Sequence, residues 1–257
     1  MTGVAAAVLA GVSVIVTGAG GGVGRGIALA CADAGAHAVI ASPGVNGEQT
    51  AERIRERGGQ ATWCPCDVTD FSQVSAAVAM AVKTAPLAAV VHNAMSRRNG
   101  QGGPLDDPDW TVLEDHIAVT LRGSYNCARA ACGPLSERGG SLVFLASAAG
   151  LEGSATNPFY ATVKSATRGL AKSLAREWGP RGIRVNCLSV LVDSPAVQRK
   201  YEQFPHLRAE NLSKIALGRL GQAEQDVGPV AVFLCGEGSR YVTGQTLVAD
   251  GGRYTAL

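Results

Sequence analysis

Three residues that can carry proton chemistry stand close together in the second half of the chain: Ser147, Tyr160 and Lys164. Tyr160 and Lys164 are four positions apart, so on a helix their side chains share one face. A free tyrosine has a pKa of about 10, but a nearby ammonium stabilises the phenolate and lowers that pKa. Ser147 follows an apolar run that predicts a strand, so its hydroxyl can face the same site. The three residues therefore indicate general acid–base chemistry.

A glycine-rich turn near the amino terminus indicates the binding of an anion. Residues 17–24 are Thr-Gly-Ala-Gly-Gly-Gly-Val-Gly, after a β-branched run and before a helical pattern. Glycine lets a pyrophosphate approach the backbone, and the helix amino terminus offers free N–H groups. The spacing of the glycines fits two patterns, T-G-x-x-x-G-x-G and T-G-x-x-G-x-x-G. Each pattern is typical of one branch of dinucleotide-binding proteins, so the turn alone does not distinguish the two branches. The residues expected to form the cradle are Gly18, Gly20, Gly22, Val23 and Gly24.

Alternating strands and helices must position these residues. Short apolar runs predict strands at Val12–Thr17, Ala36–Ala41, Thr62–Cys66, Leu87–His92, Ser141–Ala146, Ile183–Leu188 and Gln245–Val248. Helical patterns lie at Gly22–Ala34, Gly47–Arg57, about Asp70 to Thr84, a long stretch to about Arg138, Pro158–Trp178 and Ala223–Leu234. Continuous apolar strands are typical of a parallel sheet covered on both faces. We therefore predict an α/β fold, a doubly wound parallel sheet of about seven strands.

Two segments interrupt this pattern at the predicted carboxyl edge of the sheet. The least regular one, Val190–Leu217, follows the sixth strand, and we expect it to be a substrate loop. The other is a glycine-rich loop at Asn99–Pro104. No internal repeat or linker divides the sequence, so we expect residues 1–257 to form a single dinucleotide-binding and catalytic domain.

Composition excludes several classes of protein. Of 257 residues, 46% are hydrophobic and 17% are charged, which excludes a largely disordered chain. The net charge is +2 and no basic run exceeds two residues, so we expect no nucleic-acid partner. Seven cysteines without a Cys-x-x-Cys spacing predict free thiols, no metal site and a cytoplasmic location. The apolar segment Val4–Val16 is too short to span a bilayer and lacks a basic leader region, so we expect neither a membrane partner nor a cleaved signal.

The chain resembles the short-chain dehydrogenase/reductase family, in its short subfamily, over essentially the whole sequence. The resemblance rests on the glycine turn and on Ser147 with the Tyr160–Lys164 pair. It extends to Asp67-Val68, His92-Asn93-Ala94, Gly182–Asn186, Val242–Gln245 and Asp250–Gly252. It implies a Rossmann-like fold and contacts from Asn93 and Ala94 to the cofactor.

The resemblance also implies roles for the matched residues. Tyr160 would donate or accept the proton at the substrate oxygen, and Ser147 would hydrogen-bond that oxygen. Lys164 would hold the nicotinamide ribose and lower the pKa of Tyr160. Asp67 and Val68 would contact the adenine. Hydride would pass between the nicotinamide ring and the carbon that bears the oxygen, so the cofactor carries the redox chemistry.

Three departures from the family pattern bear on catalysis. The usual Asn-Ala-Gly after the fourth strand is Asn-Ala-Met here, and Met95 either crowds the cofactor or points into the substrate pocket. Thr120 stands where relatives have an asparagine, so we expect a proton relay that is weaker or rerouted. The usual Pro-Gly after the sixth strand is missing, and Ser194 is the best match to the hydroxyl that holds the nicotinamide carboxamide.

The choice between NAD and NADP depends on Ser42, the residue after the second strand. An aspartate there favours NAD by binding the ribose 2′-hydroxyl, and a neighbouring arginine favours NADP. This chain has neither, and Ser42 can hydrogen-bond a hydroxyl or a phosphate. Because no carboxylate repels the phosphate, we expect NAD or NADP with a slight preference for NADP.

The four histidines lie outside the matched catalytic residues. His92 replaces an asparagine of the family pattern, and we expect a packed, hydrogen-bonded side chain rather than a catalyst. The other three, His37, His116 and His206, belong to no motif.

We therefore predict an NAD(P)-dependent oxidoreductase that interconverts a secondary alcohol and a ketone. The alternative is a dinucleotide-binding protein with weak or no catalysis, a sensor or partner subunit. Met95, Thr120 and the missing Pro-Gly after the sixth strand favour the alternative. The intact Ser147, Tyr160 and Lys164 oppose it. An epimerase or dehydratase is disfavoured because no separate substrate domain follows. We expect a small carbonyl or alcohol substrate of open identity and, as in relatives, a homo-oligomer, either a dimer or a tetramer.

Overall fold

The computed structural model of the protein describes residues 7–99, 101 and 105–255. Within these ranges seven parallel strands form one sheet in the order β3-β2-β1-β4-β5-β6-β7. The strands are β1 (Ser13–Thr17), β2 (His37–Ala41), β3 (Gln60–Cys64), β4 (Leu87–His92), β5 (Ser141–Ala146), β6 (Arg184–Val190) and β7 (Thr246–Ala249). The predicted doubly wound sheet is confirmed. The strand order reverses between β1 and β4, which is where open α/β sheets bind ligands.

Helices cover both faces of the sheet. They are α1 (Gly22–Asp33), α2 (Asn46–Glu56), α3 (Phe71–Thr84), α4 (Trp110–His116), α5 (Gly123–Ser136), α6 (Ala149–Glu152), α7 (Pro158–Trp178), α8 (Pro195–Gln203), α9 (His206–Ser213) and α10 (Gly228–Cys235). Two π-helical turns, Ile117–Arg122 and Ala223–Val227, join α4 to α5 and lead into α10. Within the described ranges no helix is long and apolar enough to cross a bilayer.

The strands are apolar throughout because both faces of the sheet are covered. All five residues of β1 and all six of β5 are buried. Alternate residues of a strand point to opposite faces. Ile15 therefore joins a core with residues of α3, α5 and α7, whereas Val14 and Val16 join a core with residues of α1, α2 and α10. This two-sided burial explains the continuous apolar runs in the sequence.

Side-chain caps fix where two helices begin. Asp70 precedes α3 and accepts a hydrogen bond from the backbone N–H of Ser72 at 2.8 Å. Asn157 precedes α7, and its side-chain oxygen accepts from the Tyr160 N–H at 3.2 Å. Pro158 occupies the first position of α7, where no backbone N–H is needed. This start places Tyr160 in the first turn of the helix.

Some boundaries differ from the sequence predictions. β3 lies two residues earlier than the predicted Thr62–Cys66, because Pro65 has no N–H to donate to a strand ladder. The predicted helix to about Arg138 ends at Ser136 and contains a π-helical turn. The predicted loop Asn99–Pro104 lies mostly outside the described residues.

The stretch after β6 is more regular than predicted, because α8 and α9 lie in it. Ser194 accepts a hydrogen bond from the N–H of Val197 at 3.3 Å at the start of α8. Pro195 is the first residue of α8 and Pro205 precedes α9. The prolines that made this stretch look irregular therefore begin its two helices.

Gly26 lets α1 pack directly on the turn Ala223–Val227. A Cβ at Gly26 would lie 2.5 Å from the carbonyl carbon of Ala223 and 2.6 Å from the nitrogen of Glu224. We expect Gly26→Ala to lower the free energy of unfolding by about 1–3 kcal/mol, because overpacking forces the backbone to shift. Urea unfolding followed by circular dichroism measures the change.

Gly169→Ala in α7 is the matched control. Gly169 is exposed, and a Cβ there would meet no atom outside the backbone of its own helix within 4 Å. Alanine is preferred over glycine inside a helix by roughly 0.5–1 kcal/mol, so this variant should be slightly stabilised. Equal destabilisation of both variants would contradict the packing argument.

Candidate active site

The glycine turn after β1 leaves no room for side chains at two positions. A Cβ at Gly18, whose φ is +64°, would lie 2.8 Å from the Cα of Ala94. A Cβ at Gly24 would lie 2.4 Å from the side-chain nitrogen of Asn93. Glycine is therefore required where the turn meets the end of β4.

The start of α1 is open to a ligand. Gly21 precedes α1 without a side-chain cap, and the first turn holds no acidic residue. A Cβ at Gly21 or Gly22 would meet no described atom within 4 Å, and Val23 beside them is only partly buried. The first N–H groups of α1 thus face no competing side-chain acceptor, and the helix dipole favours negative charge. These features fit the diphosphate of a dinucleotide.

The Thr17 hydroxyl ties the end of β1 to the end of β4. Its oxygen accepts hydrogen bonds from the N–H groups of Asn93 and Ala94, both at 3.1 Å. Its own hydrogen is therefore available to donate to Nδ1 of His92 at 3.0 Å. With Nδ1 as the acceptor, the proton of His92 lies on Nε2, which donates to the carbonyl of Thr120 at 3.3 Å.

His92 is a packed side chain, as predicted. It is buried, and burial together with the nearby Lys164 lowers its pKa to about 3. A neutral ring fits the donor and acceptor pattern of its two nitrogens. Next to it, the side-chain nitrogen of Asn93 donates to the carbonyls of Thr17 and Gly18, both at 3.1 Å.

Ser42 lies buried at the end of β2, beside the glycine turn. A Cβ at Gly20 would lie 3.1 Å from its hydroxyl oxygen. The indole N–H of Trp63 donates to the carbonyl of Ser42 at 2.9 Å and fixes the backbone there. The nearby Arg25 is engaged, since its guanidinium donates to the carbonyl of Gly20 and to the hydroxyl of Thr50.

Asp67 and Val68 follow β3 on the same edge of the sheet. One carboxylate oxygen of Asp67, Oδ1, accepts from the N–H and the hydroxyl of Thr69 at 2.9 and 2.8 Å. No described residue donates to Oδ2, which leaves an acceptor for an amine of a ligand. Val68 is buried.

Ser147, Tyr160 and Lys164 meet at the carboxyl end of β5. The Ser147 hydroxyl accepts from the N–H of Ala149 at 3.3 Å. It lies near enough to the Tyr160 side chain to lower the pKa of that phenol. The Lys164 ammonium lies 5.7 Å from the centre of the Tyr160 ring. It donates to the carbonyl of Leu145 at 2.6 Å. The arrangement can hold one oxygen atom of a ligand and exchange a proton with it.

Burial sets the proton affinities of this group. Burial lowers the pKa of Lys164 to about 8, and Cys187 acts weakly in the opposite direction. Burial raises the pKa of Tyr160, and the nearby Ser147 hydroxyl opposes that rise. Near neutral pH Tyr160 is a phenol and Lys164 is mostly an ammonium. The predicted lowering of the Tyr160 pKa by Lys164 is wrong: burial raises that pKa, and Ser147 rather than Lys164 opposes the rise.

Thr120 lies in the π-helical turn Ile117–Arg122, where a continuous helix was predicted. It is buried, and its carbonyl accepts from the Ser124 hydroxyl at 2.6 Å. Its own hydroxyl has no hydrogen-bond partner among the described residues. Turns of this kind occur frequently at functional sites.

The other two departures also lie at the carboxyl edge. Met95 follows β4 and is half-buried. Ser194 follows the bridge between Val192 and Gly221. Its oxygen accepts the N–H at the start of α8, so its hydroxyl hydrogen is available to a ligand. The predicted contacts of Met95 and Ser194 with cofactor or substrate stay predictions.

Sequence reasoning missed three residues of this region. His116 is fully buried, and its ring centre lies 6.0 Å from that of Tyr160. Its helical spacing of four from Thr120 is a signal that could have found it. Asn157 was signalled by the proline that follows it. Trp63 carried no signal, because its contact depends on the pairing of β2 with β3.

The fold, the open start of α1 and the tyrosine–lysine pair together define an NAD(P)-dependent oxidoreductase. A family model described as enoyl-(acyl carrier protein) reductase matches residues 18–254. The chain belongs to the short-chain dehydrogenase/reductase family, as the resemblance predicted.

Relatives carry different substrate names. An L-rhamnose 1-dehydrogenase (NAD(P)(+)) of Azotobacter vinelandii is 34% identical and is matched over 95% of this chain and 97% of its own length. The structure of a gluconate 5-dehydrogenase from Burkholderia cenocepacia with NADP and tartrate has a TM-score of 0.88 at 29% identity, over 97% of both chains. A 3-oxoacyl-[acyl-carrier protein] reductase from Brucella melitensis with bound NAD has a TM-score of 0.85 at 30% identity, over 98% of this chain and 94% of its own. Family membership therefore leaves the substrate and the choice between NAD and NADP open.

Removing the Thr17 hydroxyl tests its role at the edge of the sheet. Thr17→Val leaves the N–H groups of Asn93 and Ala94 without their acceptor. Because an unpaired buried donor costs about 1–3 kcal/mol, we expect unfolding free energy to fall by about 2 kcal/mol or more. We also expect weaker NADH binding. Urea unfolding and fluorescence titration measure the two effects.

Thr84→Val is the control for the loss of a threonine hydroxyl. Thr84 is exposed at the end of α3, and its hydroxyl donates only to the carbonyl of Met80, at 2.9 Å. We expect a change within about 0.5 kcal/mol. Similar effects of the two substitutions would show that the Thr17 bonds are unimportant.

Proposed function

We propose that this protein interconverts a secondary alcohol and a ketone by hydride transfer, with Tyr160 as the general acid or base. The observation that supports this most strongly is the meeting of Ser147, Tyr160 and Lys164 at the end of β5. The substrate is a small molecule that presents a carbonyl or alcohol group.

The proton chemistry follows from the burial of the site. In ketone reduction Tyr160, a phenol at neutral pH, gives its proton to the substrate oxygen, which Ser147 holds by a hydrogen bond. Lys164 stabilises the phenolate that remains as long as it is charged, below its pKa of about 8. In alcohol oxidation the same residues accept the proton. Thr120 is proposed to take part in proton exchange with solvent.

When bound, the nicotinamide of NAD or NADP supplies or takes the hydride. The open amino terminus of α1 supports a diphosphate site there. Ser42 is proposed to bind the adenosine ribose, and Asp67 with Val68 the adenine. The other proposed contacts with the cofactor are Asn93, Ala94, Tyr160, Lys164 and Ser194.

A slight preference for NADP is part of the proposal. No carboxylate at position 42 repels a 2′-phosphate, and the Ser42 hydroxyl can donate to it. Arg25 is held by Thr50 and by the turn. Binding of the 2′-phosphate of NADP would therefore depend on a neutral donor, the hydroxyl of Ser42.

We further propose a cytoplasmic homo-oligomer. The cytoplasmic location is supported by the seven cysteines, which are free thiols, six of them buried, as expected in a reducing compartment. Apolar side chains lie exposed on three elements: Tyr125 on α5, Phe233 on α10 and Val248 on β7, at 55%, 40% and 38%. Exposed apolar surface of this kind suits contacts between copies.

Phe204 and Leu217 are also exposed, and they support an apolar contact with the substrate in residues 190–217.

Tyr160→Phe tests the proposed reaction. Loss of the phenolic proton should reduce turnover by about 10²–10⁴-fold, because the general acid is removed. Binding of NADH and NADPH, followed by fluorescence transfer from tryptophan, should persist, because every other proposed contact with the cofactor is kept. Turnover is measured on panels of ketones and secondary alcohols.

Tyr241→Phe is the matched control, because this tyrosine is fully exposed. It should retain wild-type turnover. Turnover in Tyr160→Phe equal to that of the control would refute the assignment. Tight cofactor binding without turnover on any panel would support the alternative of a dinucleotide-binding protein without catalysis.

Ser42→Asp tests whether position 42 contacts the adenosine ribose and so sets the preference between NADH and NADPH. The carboxylate accepts ribose hydroxyls and repels the 2′-phosphate, so the ratio of NADH to NADPH affinity should rise by about tenfold or more. Ser173→Asp, on the exposed side of α7, adds the same charge elsewhere and should leave the ratio unchanged. An unchanged ratio in Ser42→Asp would mean that position 42 does not contact the adenosine ribose.

A further inference from the structure

Two residues near Tyr160 carry buried polar atoms without hydrogen-bond partners. Besides the Thr120 hydroxyl, the unpaired buried side-chain atoms in the described part of the chain are Nδ1 and Nε2 of His116 and Oδ1 of Asn99. Buried polar atoms are nearly always paired with protein, water or ligand. The imidazole and the amide oxygen therefore indicate a ligand that supplies the missing partners.

Both residues lie beside the proposed acid–base group. The ring centre of His116 is 6.0 Å from that of Tyr160, at 53° between the planes. Asn157 connects Asn99 to the same place. Its side-chain nitrogen donates to the carbonyl of Asn99 at 2.8 Å, and its side-chain oxygen accepts from the N–H of Tyr160 at 3.2 Å. The unpaired atoms therefore belong to the side of Tyr160 that α4 and the segment after β4 form.

Two charged side chains on this side of the site, Arg98 and Asp115, are already engaged. Arg98 donates to the carboxylate of Asp109 and to the hydroxyl of Thr111, both at 2.6 Å. The hydroxyl of Ser96 donates to Asp115. These bonds hold the segment after β4 against α4. Since both charges are matched within the protein, the nearby atoms that lack partners are neutral ones.

The ring of His116 is neutral in this environment. Burial lowers its pKa, Asp115 on the same helix raises it, and the cations Lys164 and Arg98 lower it further. A neutral imidazole has one N–H donor and one acceptor nitrogen. His116 therefore offers a ligand both kinds of hydrogen bond.

This set of atoms selects hydroxyl groups. A hydroxyl accepts from the N–H of His116 or donates to its other nitrogen, and a hydroxyl also donates to Oδ1 of Asn99. A carboxylate or phosphate only accepts, so it would leave two of the three atoms unpaired. An apolar group would leave all three unpaired, and a site of buried polar atoms rejects such an analogue strongly. The chemistry therefore favours a neutral, hydroxylated substrate.

We propose that the substrate is polyhydroxylated: a vicinal diol in its alcohol form and an α-hydroxy ketone in its oxidised form. His116 binds the hydroxyl next to the reacting carbon, and Asn99 accepts from a further hydroxyl. The inference rests on the proposed function and names its substrate class. Hydride and one proton are exchanged at the reacting carbon and its oxygen, and the bound hydroxyls stay unchanged. The carbon–hydrogen surface of the molecule is left for the apolar contact proposed in residues 190–217.

Substrate hydroxyls reach His116 when the segment after β4 shifts. The ring has no exposed surface, so a ligand must displace part of its surroundings. The ion pair between Arg98 and Asp109 lies near the surface, with side chains 33% and 55% exposed. Ion pairs of this kind contribute little to stability, so substrate binding can open this side of the site.

The kinetic test compares two ketones that differ by one hydroxyl. In the wild-type protein, kcat/KM for 2-hydroxycyclohexanone should exceed that for cyclohexanone by about 10²-fold or more, because unpaired polar atoms reject the analogue. His116→Phe should lower that ratio by about tenfold or more through the hydroxy ketone, and change the value for cyclohexanone by less than about threefold. A histidine that only packs, or that serves proton transfer, would affect both ketones alike.

His37→Phe is the control. His37 lies at the start of β2 and bonds the hydroxyl of Thr62 on β3 at 2.8 Å. It should leave the ratio of the two kcat/KM values unchanged. If His116→Phe does not fold, His116→Met replaces it with the same expected result, because methionine fills irregular space and supplies no strong donor or acceptor.

A spectroscopic test does not depend on turnover. Nitrogen-15 NMR of protein with labelled histidine identifies His116 by the signals lost in the His116 variant. The protein is saturated with NADH or NADPH, whichever binds more tightly, so that added alcohols have no oxidised cofactor to react with. We expect trans-1,2-cyclohexanediol to shift the His116 signals and cyclohexanol at the same concentration to leave them in place. Equal shifts by both alcohols, or none by either, would overturn the proposal.

The outcomes separate the two proposals. Equal kcat/KM for the two ketones, or turnover confined to ketones without a second hydroxyl, refutes the substrate class while the proposed function stands. A loss in His116→Phe that is the same for both ketones also refutes it. If the wild-type protein turns over no ketone, the proposed function fails, and the NMR experiment still decides whether His116 binds a hydroxyl.

Discussion

One hydroxyl, that of Thr17, holds together the edge of the sheet on which the site depends. It accepts two backbone N–H groups from the end of β4 and donates to His92. His92 in turn donates to the carbonyl of Thr120, within the π-helical turn. The glycine turn, the end of β4 and the helix that flanks Tyr160 are therefore linked by four hydrogen bonds. The strands of the sheet are rigid, and these hydrogen bonds hold the glycine turn and the π-helical turn in fixed positions relative to them.

The second constraint is the burial of a charge. Lys164 is 3% exposed, and no ion pair among the described residues includes it. Its partner is the carbonyl of Leu145, a dipole rather than a full charge. A cation held this way is costly to keep, which is why its pKa falls to about 8. The fold bears that cost beside Tyr160, the proposed general acid or base.

Most of the architecture could be predicted from the sequence because it depends on local pattern. β4, β5 and α7 have the predicted boundaries, since apolar runs and an Asn-Pro start are short-range signals. The family motifs likewise pointed to Ser147, Tyr160 and Lys164. What could not be predicted depends on contacts between distant segments. The π-helical turn is one case, and the indole of Trp63 on the carbonyl of Ser42 is another, because that bond needs the register of β2 with β3.

Because of the hydrogen bond from the Trp63 indole, the backbone shape at position 42 and the chemistry of its side chain are set by different contacts. The backbone there is anchored through its carbonyl, so the local fold does not rely on the side chain of Ser42 for its shape. Trp63 itself is kept in place by the close fit of Gly47 against its ring. Under the proposed contact of Ser42 with the adenosine ribose, a substitution at position 42 would alter the electrostatics toward the nucleotide while the bond from Trp63 still anchors the strand end. A single substitution would then change the redox pool on which the protein draws without removing that anchor.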